Sequence, residues 1–187
     1  GFFGSYLHKS GADVTFLVRP ERKKIVSAHG LKVISSLGNL NIKPNLILAN
    51  ELEPIYDIIL LSCKTYDLDQ AISDLKLTKG RGLIIPLLNG IEHFNDLDKE
   101  FGQENIAGGL AHISSTVNDE GTIEHFSDFK KITFGSRYQS QDERLKQFSD
   151  ICKKTKFDTV IGKNINLDLW KKWIFISTVA GATTLFS

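Results

Sequence analysis

The stretch Tyr56-Asp57-Ile58-Ile59-Leu60-Leu61-Ser62-Cys63-Lys64-Thr65-Tyr66-Asp67 decides how the rest of the chain is read. Its apolar run is unbroken, too short for a globular helix, and closed by a polar tetrad. Such a run reads as a strand buried on both faces of a parallel sheet, because an antiparallel strand with one wet face would alternate instead. A second run of the same kind, Leu83-Ile84-Ile85-Pro86-Leu87-Leu88, follows a helical pattern over residues 67–75 and precedes another over 91–101. Strand, helix, strand, helix in this rhythm specifies βαβ units and a doubly wound α/β sheet.

The rhythm extends upstream. Residues 1–10 read as a helix ended by Gly11, and residues 13–18 as a strand. Arg19-Pro20 then opens a further helix with proline in its first turn, and short strands follow at 31–34 and 42–48. The pattern changes after residue 105. Residues 106–115, 122–126 and 131–134 read as three strands, the first two joined by the hairpin turn Asn118-Asp119-Glu120-Gly121. A helix over 141–154 and a strand over 158–161 complete this part. From Asn166 onward the sequence is helical and apolar on nearly every side, so this helix is expected to be buried against a partner. A domain boundary is placed at residues 162–165.

Bulk properties narrow the class. The chain has 187 residues, of which 41% are hydrophobic and 24% charged, as in ordinary soluble domains. A net charge of +1 makes no case for nucleic acid or a membrane surface as partner. Cys63 and Cys152 are the only cysteines, so a disulfide framework is not expected and a reducing cytoplasm fits. The opening GFFGSYLHKSG has no signal-peptide pattern. The apolar run from residue 173 falls short of the ~20 residues of a membrane span. The absence of methionine and the helical readings at both ends lead to the expectation of a fragment.

Dinucleotide-binding sheets hold their ligand at the carboxyl ends of the strands. Arg19 closes the strand over 13–18, with Arg22, Lys23 and Lys24 beyond it. An acid at that place suits a ribose 2′-hydroxyl and an arginine a 2′-phosphate; a basic helical turn in water is the other reading. Lys64 and Asp67 follow the strand over 58–63, Lys64 either reaching into a cleft or solvated, and Asp67 placed to cap the next helix. Asn89-Gly90 follows the strand over 83–88, either as a turn or as an amide between cofactor and substrate. His8, His29, His93, His112 and His125 show no metal-ligand spacing, and no metal site is expected. No nucleophile elbow or Walker loop is present.

Taken in order, GFFGSYLHKSGADVTFLVR, LLSCKTYDLDQA, PLLNGIEH, GGLAHISSTVNDEGTIEH and LWKKW resemble the ketopantoate reductase family, NADPH-dependent 2-dehydropantoate 2-reductases, over essentially the whole chain. The resemblance implies a Rossmann-type NADP-binding domain over residues 1–163, lacking its first strand and glycine-rich loop. Residues 164–187 would be the first helix of an all-helical substrate domain. It implies NADPH as cofactor, a small 2-keto acid as partner, and a site in which Arg19 binds the 2′-phosphate and Lys64 lines the cofactor cleft. Asn89 would touch both cofactor and substrate, and Ser115 would contact the cofactor. Lys172 would be the catalytic lysine, with Lys171 the more variable residue before it. A homodimer is left open.

The sequence departs from the family pattern one and two helical turns after Lys172, where substrate-binding asparagines are replaced by Ile176 and Ala180. An apolar wall there implies, as the alternative, a reductase of the same fold acting on a more apolar keto acid. An NADP-binding regulator without catalysis is the reading from a different class. Lys172 has Phe175, Ile176 and Val179 as helical neighbours, whereas Lys171 points about 100° away and is expected in water.

Overall fold

The computed structural model describes residues 1–185. It contains six α-helices and nine strands among the described residues, and the chain divides into two compact units, each drawn from three segments.

The first unit comprises Gly1–Glu53, Ala111–Ile132 and Gln147–Val160. Helix α1 (Phe2–Lys9) buries Phe2, Phe3, Tyr6 and Leu7, an i, i+1, i+4, i+5 pattern that gives one wide apolar face. Phe2 lies against the His125 ring at 4.8 Å and Phe3 meets Phe157 edge-on at 5.0 Å. Strand β1 (Thr15–Leu17) then leads to α2 (Pro20–His29), where proline at N1 fills a position whose amide needs no partner. Strands β2 (Leu31–Ile34) and β3 (Leu40–Ile42) form an antiparallel pair, and β4 (Asn45–Ile47) returns to pair with β1 in parallel, Phe16 opposite Leu46. The single strand expected over 42–48 is thus two strands in different sheets. Pro44 lies between them and has no N–H to carry a ladder through.

The second unit comprises Pro54–Leu110, Thr133–Lys146 and the chain from Ile161 onward. Strands β5 (Ile58–Leu61) and β6 (Leu83–Pro86) pair in parallel, connected through α3 (Leu68–Leu75). Every residue of β6 is buried, as the sequence predicts. In β5, Ile58, Ile59 and Leu60 are only half-buried, because β6 is its one ladder partner among the described residues. Helix α4 (His93–Phe101) buries His93, Phe94, Leu97 and Phe101. Two long-range polar links hold this unit. Arg137 makes two 2.7 Å bonds to Asp98 and lies 4.4 Å over the Phe94 ring. The fully buried Gln141 amide donates to the Ile106 carbonyl at 3.0 Å and accepts from the Arg137 N–H at 2.8 Å.

Strands β7 (Gly108–Val117) and β8 (Ile123–Gly135) contribute residues to both units, in a sheet ordered β3-β2-β8-β7 with β9 (Asp158–Ile161) also beside β8. Their turn matches the predicted hairpin chemistry: Gly121 N–H donates to the Asn118 carbonyl and Asn118 Oδ1 accepts from Thr122 N–H. The two strands expected over 122–126 and 131–134 are one 13-residue strand. The intervening Ser127-Asp128 has turn-like composition, yet the backbone stays extended and exposes Phe126 and Phe129.

Helix α5 (Asp142–Cys152) precedes β9, and α6 (Ile165–Leu185) ends the described chain. Asn164 Oδ1 accepts from the Leu167 N–H at 3.1 Å, capping α6. Only Ile165 and Leu169 of α6 are buried, so the expectation of a helix covered on most sides is corrected: Phe175 is 67% exposed and Ile174 61%. The apolar pattern reports a face suited to burial, but the described residues supply cover only for its first turns. No helix among them is long and apolar enough to cross a membrane.

Candidate functional site

In the first unit, Arg19 occupies the N-cap of α2 at the carboxyl end of β1, exposed and with extended backbone (φ −73°, ψ 157°). The three cations after it have partners of their own. Arg22 donates to the Gly121 carbonyl at 2.6 Å, Lys23 pairs with Glu51 at 2.5 Å, and Lys24 pairs with Glu21 at 2.9 Å. The Lys23 ammonium, followed by the Leu48 N–H, holds the Glu51 carboxyl below its usual range. Gly121 is required here twice over: its φ is +80°, and a Cβ would lie 2.5 Å from Arg22 Nη1. The basic cluster thus places Arg19 at the strand end and three paired cations along the helix that follows. A guanidinium at this strand end fits a 2′-phosphate better than a 2′-hydroxyl. Ser115 lies on the exposed part of β7 within the same unit.

In the second unit, Lys64 is exposed and follows β5 as the N-cap of a single 3₁₀ turn, Thr65–Asp67. Asp67 takes the N-cap position of α3 but makes no side-chain capping bond. In the preceding turn Asp67 N–H donates to the Lys64 carbonyl at 2.9 Å, so the chain enters α3 already coiled.

Asn89 is exposed just past β6, and Gly90 beside it has φ +85°. A Cβ at Gly90 would stand 3.7 Å from the Trp173 ring, so the indole is seated over this glycine. Gly90 and Trp173 are thereby brought together although more than eighty positions separate them. Lys171 is exposed and Lys172 half-buried, the separation the helical geometry predicts. Burial draws the Lys172 ammonium below the ordinary lysine value. Ile176, one turn on, is half-buried, and Ala180 is exposed. The helix start that presents Lys172 is fixed by Ile165, whose side chain occupies the space a Cβ would need at Gly108 and Gly135.

His93 is expected from the sequence to be structural or exposed, and it is structural. It is 4% exposed, rests on the Phe94 ring at 4.4 Å, and its Nε2 has no hydrogen-bond partner. Burial first, and the Arg137 charge second, lower its pKa to about 4, so the imidazole is neutral at physiological pH. The only sequence signal was its place four residues after Asn89. His125 is a packing residue, joined to Ser35 Oγ and to the Phe129 carbonyl at 2.9 Å each.

The family profile described as "Ketopantoate reductase PanE/ApbA" matches residues 1–139. An uncharacterized oxidoreductase of Bacillus subtilis, YkpB, is 36% identical over the whole chain, which spans 61% of that relative. Among solved structures, a 2-dehydropantoate 2-reductase from Porphyromonas gingivalis superposes with a TM-score of 0.88 at 22% identity, covering 100% of this chain and 68% of the other. A D-mandelate dehydrogenase in ternary complex with NADH and anilino(oxo)acetate superposes with a TM-score of 0.80 at 24% identity, covering 91% and 56%. At these identities the two structures establish the Rossmann-like α/β fold. The chain spans 56% to 61% of the length of the curated relatives it matches.

Proposed function

Because the chain belongs to the ketopantoate reductase PanE/ApbA family, we propose that it is part of an NADPH-dependent 2-keto acid reductase converting 2-dehydropantoate to pantoate. Residues 1–163 are then the dinucleotide-binding domain, and residues 164–187 begin the helical substrate domain. The observation that supports this reading is the approach of Trp173 to Gly90, since these residues directly follow the half-buried Lys172 and the exposed Asn89 in the chain.

In this reading Arg19 holds the 2′-phosphate, Lys64 and Ser115 line the cofactor's path, and Asn89 orients the nicotinamide side and the substrate. The bound dinucleotide supplies the hydride. As the carbonyl oxygen gains charge, the Lys172 ammonium donates a hydrogen bond to it and then its proton. Partial burial makes that proton easier to release, which suits a general acid better than a fully hydrated ammonium does.

In the full-length protein, Lys172→Ala is expected to lower turnover by ~10²-fold or more with NADPH affinity retained, the usual loss for a general acid. Unchanged turnover would remove Lys172 from the reaction. Arg19→Ala is expected to weaken NADPH by at least ~10-fold more than NADH, in line with a lost charge-assisted contact; equal losses would end the 2′-phosphate role.

A second reading is favoured by Ile176 and Ala180, which cannot hydrogen-bond a polar hydroxy-keto acid. It is a reductase of the same fold for a more apolar keto acid. The bulky aryl ligand named with D-mandelate dehydrogenase is in keeping with it. A substrate panel scored by NADPH oxidation separates the two: preference for an aryl or branched keto acid over ketopantoate selects the second.

A further inference from the structure

A second cluster of cations lies away from Arg19, at the end of α1 that feeds β1 rather than at the end β1 presents to Arg19. Here a cavity of about 320 Å³ is lined by three chain segments of the first unit, around residues 6–10, 37–40 and 154–156. Lys9, Lys154 and Lys156 line it, and none of its lining residues is acidic. Lys156 is held in place, its ammonium donating to the Leu37 carbonyl at 3.0 Å.

Among the remaining polar groups of the lining, the Asn39 amide is biased the same way. Asn39 Oδ1 accepts from the Ser35 N–H at 3.2 Å, which orients the amide and leaves its Nδ2 as a donor. The Ser10 and Thr155 hydroxyl protons are committed to the Leu7 and Cys152 carbonyls. The rest is apolar: Leu37, Leu40 and the Tyr6 ring, whose hydroxyl is taken by the Gly38 carbonyl at 2.8 Å. Three like charges gathered without a carboxylate repel one another and are relieved by an anion. An apolar lining with a few fixed polar groups is the usual make-up of a small-molecule site.

We propose that this cavity binds an organic phosphate, its anionic head between Lys9, Lys154, Lys156 and the Asn39 amide and its apolar body against Leu37, Leu40 and Tyr6. The lining shares no residue with those proposed above to hold the dinucleotide, so both ligands are expected to bind together.

The test uses the full-length protein saturated with NADPH, which occupies the dinucleotide site, and phenyl phosphate as probe, followed by calorimetry. Saturable binding is expected, with inorganic phosphate and phenol each bound at least ~10-fold more weakly, since each lacks one half of the match. Lys9→Glu with Lys154→Glu should weaken phenyl phosphate at least ~10-fold, the effect of reversing two exposed charges at the site, and leave NADPH affinity unchanged. Asn39→Asp is an independent variant: it keeps the acceptor for Ser35 N–H but turns the donor into a negative oxygen, and should abolish binding. Phenyl phosphate that is shut out by NADPH, or bound equally well by the charge-reversed protein and by Asn39→Asp, would overturn the proposal.

Discussion

Strand β6 and helix α6 are both apolar and both belong to the second unit; Asn89 follows the one and Lys172 lies within the other. β6 is buried at all four positions, between β5 on one side and the bridge from Ile84 to Ile106 on the other. α6 is held along its first turns, by Ile165 against Gly108 and Gly135, the buried Leu169 and Trp173 over Gly90, and exposes Trp170, Ile174 and Phe175. Asn89 therefore follows a strand with neighbours on both edges, and Lys172 lies in the first turns of a helix whose later turns lie open. Apolar composition says that a surface is suited to burial; only the partner decides whether it is buried.

The sharpest way to break this contrast is by truncation. Ile85 has no exposed surface, and Ile85→Ala is expected to cost about 3 kcal/mol, within the range for buried aliphatic residues, read from urea unfolding of the 187-residue chain. A loss below about 1 kcal/mol would mean that β6 is not the rigid half.

His93 begins the helix behind β6 and gives an intermediate effect with a defined sign. Its folded pKa of about 4 lies below the ordinary 6.5, so the unfolded chain takes up the proton first as pH falls. Its contribution is complete above pH 6.5 and is lost on acidification towards pH 4, at about 1.4 kcal/mol per pH unit. His93→Gln should lower stability at neutral pH yet flatten that slope; an unchanged slope would place the titrating group elsewhere.

The smallest effect belongs to the other side of the comparison. Phe175→Ala removes a side chain already largely in water, and should cost under ~0.5 kcal/mol in the same chain. A loss as large as that of Ile85→Ala would show α6 to be covered in solution and would erase the contrast.

These features were unequally legible. β6, α4 and the 118–121 turn could be read from Leu83 to Phe101 and from Asn118 to Gly121, because local pattern and turn chemistry determine them. The break between β3 and β4 falls at Pro44, a local signal the apolar pattern around it masks, whereas in β8 backbone pairing overrode the turn-like Ser127-Asp128. The burial of His93 depends on Phe94, and its charge state in addition on Arg137, more than forty positions away. The approach of Trp173 to Gly90 depends on a contact that no local window contains, and nothing in the sequence pointed to it. The half-burial of Lys172 against the exposure of Lys171 was legible, since 3.6 residues per turn separates neighbours whatever the tertiary context.

Asn89 being exposed and followed by Gly90 also gives the molecule a clock. With no side chain on the next residue to shield it, a backbone nitrogen can attack the asparagine carbonyl, expel ammonia, and on hydrolysis leave a carboxylate or an extended isoaspartyl link. Stored protein would thus age at the tip of β6 before its interior is touched, a neutral amide becoming an anion where substrate is proposed to be oriented. The wear would be visible as a change in mass and charge of a single peptide.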